Sequence, residues 1–270
     1  MGRAQKKNPF IVQCLINHIF KDMTGIPSWM GRTELLLGEE RLRRLIHAHV
    51  LVVGLGGVGG IAAEMIARSG VGKMTIVDAD IVEETNRNRQ LPALVSTDGQ
   101  LKSEVLAARI RDINPDIELN VISHFFKDQL TTDVLDKYTF DYALDCIDTL
   151  APKVFFIKAC MERKIPIVSS MGAGSKVDPT LIQVADISKS YNCHLAKYTR
   201  KYLYKFGIRR GLKVVFSPEK AQPFMHIKLV DGQNKKSSPG TISYMPSVFG
   251  CTVASVAIRD LYEGNNTSKD

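Results

Sequence analysis

VLVVGLGGVGG, residues 50 to 60, is an apolar, β-branched run that breaks into glycine within one step. Such a run reads as a buried parallel strand, and the break reads as a strand-to-helix turn. Gly54, Gly56 and Gly59 fit the spacing G-x-G-x-x-G, with Gly57 inside it. The first glycine permits the tight turn, the second lets backbone N–H groups approach a phosphate, and a helix starting near Val58 points its positive end at the anion. Asp78 ends the next strand, about twenty residues on, where a carboxylate can accept hydrogen bonds from a ribose. At this point a nicotinamide dinucleotide and ATP are equally well served.

Outward from this turn, strand-like pieces lie at 49–54, 73–78, 117–122, 140–145 and 166–170. Helical patterns lie around 58–69, 99–112, 127–137 and 151–163. Strands alternating with helices imply parallel pairing and right-handed crossovers. The fold class is therefore α/β: a doubly wound, Rossmann-like, mostly parallel sheet. After residue 180 the rhythm changes into an extension of strands and helices. QVADI and KVVFS read as strands, 192–206 as a basic helix, 231–240 as a polar, flexible loop, and SVFGCTVASVAIRDLYEG as a helix packing back on the sheet.

What separates the two ligands is DADIVEETNRNRQ (78–90), then Lys102, then DCID (145–148). A dinucleotide needs little positive charge beyond its pyrophosphate turn. A triphosphate that loses pyrophosphate needs cations on its outer phosphates and a carboxylate for magnesium. Arg89 and Lys102 supply the charge, and Asp148, after the fourth strand, supplies the carboxylate. Singly, each has a plainer role: a surface ion pair, a solvated helix residue, a helix cap.

The 270 residues are 44% hydrophobic, enough for one core with extensions, and carry a formal charge of +8 that favours a polyanionic partner. Five cysteines, Cys14, Cys146, Cys160, Cys193 and Cys251, form no CxxC pair, which argues for a reducing, cytoplasmic compartment and against structural zinc. The first 28 residues imitate a signal peptide, but Gln13, Asn17 and His18 interrupt the apolar run. We read 1–28 as a loosely attached extension, with Met23 or Met30 as an alternative start, 29–262 as the folded unit and 263–270 as a tail. No segment reads as membrane-spanning.

GLGGVGG, VDADIVEETNRNRQ, GQLKSE and DCIDT resemble the adenylation core of the ubiquitin-activating-enzyme superfamily, which includes the molybdopterin and thiamine adenylyltransferases. Within it, GRTELLLGEERLRRLIHAHVLVVGLGGVGG, SSMGAGSKVDPTLIQVADISKS and KVVFSPE are similar to the bacterial tRNA threonylcarbamoyladenosine dehydratase branch. The resemblance runs from about residue 29 to 262. It implies ATP phosphates on Gly54, Gly56, Gly57 and Gly59, ribose on Asp78 with Asp80 beside it, and the phosphate chain on Asn86, Arg89 and Lys102. It also implies magnesium on Asp148, and Arg32 inserted into the neighbouring subunit's ATP site, hence a homodimer. It allows a bound monovalent cation near 169–179 and a cysteine desulfurase system as partner.

The implied activity is adenylate-forming and ligase-type: ATP activates the free carboxylate of threonylcarbamoyladenosine beside the tRNA anticodon. The modification's own urea nitrogen or oxygen then closes a five-membered ring. That group is already tethered, so no protein nucleophile is required. Among the cysteines Cys193 is the most exposed by context, with Cys146 and Cys251 read as buried filler. From Lys189 to Lys213 no acid occurs, while Lys197, Arg200, Lys201, Lys205, Arg209 and Arg210 crowd around Tyr198, Tyr202 and Tyr204. Cations can track tRNA phosphates and tyrosines can stack on unpaired bases, or the tyrosines can be core residues. Two other readings remain: activation of a small sulfur-carrier protein's C-terminal glycine, and a noncatalytic sulfur-relay partner.

Overall fold

In the computed structural model, which describes residues 26–126, 128–220, 227–229 and 237–264, the alternating strands and helices close into one seven-stranded sheet. Helices α1 (Gly31–Leu37) and α2 (Glu39–His47) precede strand β1 (His49–Val53). There follow α3 (Gly59–Arg68), β2 (Lys73–Val77), α4 (Lys102–Ile113), β3 (Glu118–Ile122), α5 (Asp128–Lys137), β4 (Tyr142–Asp145), α6 (Leu150–Glu162) and β5 (Ile167–Ser170). The C-terminal part adds β6 (Gln183–Asp186), α7 (His194–Lys205), β7 (Lys213–Phe216), β8 (Ile227–Leu229), β9 (Ser237–Pro239) and α8 (Tyr244–Glu263).

All five residues of β1 are buried, which explains their unbroken apolar character. Val50 and Val52 join the layer of α2, α3, α4 and α8, whereas Leu51 and Val53 join that of α5, α6 and α7. The two-residue period of a strand puts successive side chains on opposite faces, and here both faces are covered. The order β3-β2-β1-β4-β5-β7-β6 reverses direction between β1 and β4. Val53 pairs with both Val77 of β2 and Asp145 of β4, so the three strands end level. Gly54, Asp78 and Cys146 therefore leave the sheet side by side, at the switch point where such sheets bind ligands.

Three differences from the sequence reading have local physical causes. Ile26 and Met30 are buried in the core, with Met30 against Gly70, so the folded body starts before residue 29. The extension reading for 1–25 lies outside the described residues. The segment after 180 belongs to the main sheet, because β7 inserts parallel to β5 and carries β6 antiparallel on its outer edge. Within 231–240, Ser237–Pro239 pairs antiparallel with Ile227–Leu229 as a separate two-stranded ribbon.

Candidate active site

The glycine turn is shaped by close backbone packing. Gly54 has φ +86, and a Cβ there would lie 2.8 Å from the Cys146 carbonyl oxygen. A Cβ on Gly59 would lie 1.6 Å from the Gly54 carbonyl oxygen, so α3 can start against the turn only with glycine. Gly57 meets Pro246 of α8 and the Arg89 carbonyl. Gly56 differs: the nearest atom to its Cβ position is 3.7 Å away, on Gln90. Packing does not require that glycine, and the open space suits close approach by a phosphate.

Asp78 is clamped from both sides. Its Oδ2 accepts from Leu55 N–H at 2.6 Å and its Oδ1 from Asp80 N–H at 2.8 Å. Burial pushes its carboxyl above the usual range, opposed by those two N–H groups and by Lys102. Lys102, the first residue of α4, is 5% exposed and its Nζ lies 3.0 Å from Asp80 Oδ2. Its own N–H donates to the Asp80 carbonyl, which anchors α4 to this loop. Asn86 is buried, accepts from Glu83 N–H and closes a one-turn cap. Arg89 is half-buried, with Nη1 donating to Thr85 O and Asn88 Oδ1. Asn88 in turn donates to the Thr241 carbonyl, tying this loop to the segment before α8.

Asp148 is exposed, three residues past the end of β4. No cluster of three His, Cys, Asp or Glu able to hold a metal exists among the described residues. A lone carboxylate is what magnesium uses when phosphate oxygens supply the rest. Arg32 is exposed on α1, which buries none of its residues and presents Leu35 and Leu36 at 89% and 80% exposure.

The segment 169–179 is held by Lys176, which is buried and donates to the carbonyls of Asn192 and Glu219. Burial lowers its pKa. The Glu219 carboxylate accepts from the N–H groups of Val177 and Asp178, and Ser175 N–H donates to Gly240 O.

Three sequence expectations are corrected. Cys193 is buried at 7% exposure, capping α7 with its sulfur toward Gly172, since the loop of 169–179 folds over it. Cys251 is exposed on α8 rather than filling the core, while Cys146 is half-buried and its thiol is pushed up to about 12 by burial. Arg200 is half-buried, unlike its exposed neighbours: its Nη1 donates to the carbonyls of Ile187 and Ser190 and to the Ser190 hydroxyl. Lys197, Lys201, Lys205, Arg209 and Arg210 are exposed. Tyr198, Tyr202 and Tyr204 are exposed too, with Lys205 Nζ 5.0 Å from the Tyr202 ring and the Arg209 guanidinium 5.7 Å from that of Tyr204.

One group went unread in the sequence. Lys153 of α6 is fully buried and forms an ion pair with Asp145 at 2.7 Å. Asp145 Oδ2 also accepts from Ser169 Oγ at 2.5 Å. A signal existed: in LAPKVFFIKAC, Lys153 stands one turn before Ile157 on the face that enters the core, and a lysine there must find a partner.

A model of the ThiF family matches residues 31–269. The tRNA threonylcarbamoyladenosine dehydratase of Bacillus subtilis is 41% identical over 238 residues, covering 86% of this chain and 93% of its own. That of Escherichia coli is 42% identical over 199 residues, covering 70% and 73%. The crystal structure of the E. coli tRNA N6-threonylcarbamoyladenosine dehydratase in complex with ATP superposes with a TM-score of 0.78 at 35% identity, over 87% of this chain and 94% of that one. With the glycine turn at the sheet's switch point and the family model spanning nearly the whole described fold, this chain belongs to the ThiF family.

Proposed function

We propose that this protein is an ATP-dependent dehydratase of threonylcarbamoyladenosine in tRNA, acting through an acyl-adenylate. The observation that carries the reading is that the Gly54–Gly59 turn, Asp78 and the loop bearing Asp148 leave the level ends of β1, β2 and β4 together, with Lys102 joined to Asp80 just past β2. A dinucleotide would leave the buried ammonium of Lys102 without a role. A triphosphate gives it one.

The turn and the α3 N-terminus hold the phosphates, Asp78 faces the ribose, and Asn86, Arg89 and Lys102 follow the phosphate chain. Asp148 would hold magnesium, which would neutralise phosphate charge. An oxygen of the substrate carboxylate attacks the α-phosphorus, and the bond to pyrophosphate breaks. The urea nitrogen or oxygen then attacks the acyl carbon, the bond to AMP breaks, and a urea N–H proton leaves. The substrate has lost one water in all. The chain's task is to orient and to exclude water, since the second nucleophile is tethered.

The exposed Leu35 and Leu36 beside Arg32 support a homodimer in which Arg32 enters the partner's ATP site. Lys197, Lys201, Lys205, Arg209 and Arg210, with the tyrosines among them, form the surface for tRNA. Arg200 shapes that surface from behind. A tRNA substrate and thiols without CxxC pairing support a cytoplasmic location.

The test is pyrophosphate release from ATP and magnesium with tRNA bearing threonylcarbamoyladenosine, against unmodified tRNA, with the nucleoside followed by mass. Release with loss of water only on modified tRNA is the expected result. Release only with a sulfur-carrier protein moves the assignment to carrier activation, and no release to a noncatalytic sulfur-relay role.

A further inference from the structure

Asp145 and Lys153 are both fully buried, and their polar partners link the loop after β4 to strand β5. The side-chain contacts of the pair run to Ile147, in the loop after β4, and to Ser169 of β5. Lys153 Nζ donates to Asp145 Oδ2 and, at 2.8 Å, to the Ile147 carbonyl. Asp145 Oδ1 accepts from Ile147 N–H at 3.1 Å, and its Oδ2 accepts from Ser169 Oγ. Ser169 pairs with Asp145 across β4 and β5 and stands at the start of segment 169–179. Ile147 is the residue before Asp148. Cys146, between Asp145 and Ile147, is the residue against which both Gly54 and Gly59 pack.

We infer that Lys153 is a positioning residue of the adenylation site. Through the Ile147 carbonyl and Asp145 it fixes the loop bearing Asp148 against the phosphate turn, and through Asp145 and Ser169 it sets that loop relative to β5 and segment 169–179. The inference rests on the reading of Asp148 as the magnesium carboxylate. A buried ion pair is a poor way to gain stability, because desolvation offsets most of the attraction. It is a good way to hold a loop, because each lost contact leaves a buried polar group unpaired. Groups that orient a metal ligand without touching the metal change metal affinity by about 10- to 100-fold when removed.

The experiment is calorimetric titration of the whole protein with ATP, with and without magnesium. Wild type is expected to bind ATP more tightly when magnesium is present. Lys153→Met and Ser169→Ala are expected to lose that increment by about tenfold while keeping wild-type affinity for metal-free ATP. Should Lys153→Met fail to fold, Ser169→Ala, which removes one hydroxyl and keeps the ion pair, decides. An undiminished increment overturns the inference alone. An equal loss of metal-free and magnesium-dependent affinity also overturns it, since that marks a purely structural pair. A wild type with no increment overturns the Asp148 reading, and this inference with it.

Discussion

Lys102 Nζ lies 3.0 Å from Asp80 Oδ2, and the two partners differ in exposure: the lysine side chain is 6% exposed and the aspartate 56%. The ammonium is largely stripped of water and held by a carboxylate at the crevice rim. Such a charge stabilises developing negative charge far better than a hydrated one. Lys102→Met is expected to lower the rate of pyrophosphate release by about 10²- to 10³-fold, or roughly 3–4 kcal/mol. A rate within a few-fold of wild type would remove Lys102 from the phosphate chain.

Gly56 and Gly59 separate binding from folding. A Cβ at position 59 collides with the Gly54 carbonyl oxygen at 1.6 Å, whereas one at 56 meets nothing closer than 3.7 Å. Gly59→Ala should destabilise the fold by about 3 kcal/mol or more, read as a lower midpoint in urea. Gly56→Ala should keep the wild-type midpoint and raise KM for ATP. Equal KM values for Gly56→Ala and wild type would show that phosphate does not approach there.

Arg32 and Asp148 belong to different subunits of one site if the dimer reading holds. Arg32→Ala and Asp148→Ala homodimers are each expected to be inactive. Refolded together, they form mixed dimers in which one site regains both groups, and turnover returns. Leu35→Asp with Leu36→Asp should yield a monomer by light scattering, without turnover. Absence of complementation in verified mixed dimers would place Arg32 outside the partner's site.

Lys201 and Arg200 are neighbours in sequence with different tasks. Lys201→Glu should weaken tRNA binding and reduce the salt slope by about one unit. Arg200→Ala unpins the Ser190 loop, so the expected change is a lower thermal midpoint with the salt slope retained. A slope that falls in Arg200→Ala at an unchanged midpoint would return Arg200 to the RNA surface.

Cys193→Ala should release pyrophosphate at the wild-type rate, because the thiol is buried at the cap of α7 and the ring-closing group belongs to the substrate. A mass adduct between Cys193 and the activated carboxylate would instead reveal a thioester step.

The sheet and the phosphate turn were readable because their causes are short-range. Apolar alternation, a glycine run and a carboxylate at the next strand's end each act within a few residues, and β1, α3 and β2 appear where the pattern placed them. The basic surface was readable as composition but not residue by residue. Arg200 and Lys201 carry the same charge, and only the chain folded around α7 turns one inward to carbonyls. Cys193 misled for the same reason: a thiol in a polar, basic segment is buried by a loop that begins more than twenty positions earlier.

By itself the sequence determined the doubly wound class and the glycine turn after β1, because periodicity and turn chemistry are local. Tertiary structure alone decided that β7 lies between β5 and β6, that α1 leaves Leu35 and Leu36 open, and that Lys153 sits beneath the Asp148 loop. Those outcomes depend on partners far apart in the chain, as Asp145 and Ser169 are by 24 positions and Tyr142 and Asp260 by 118. A buried charge takes whichever opposite group the packing brings near it, and packing is settled by the whole core at once.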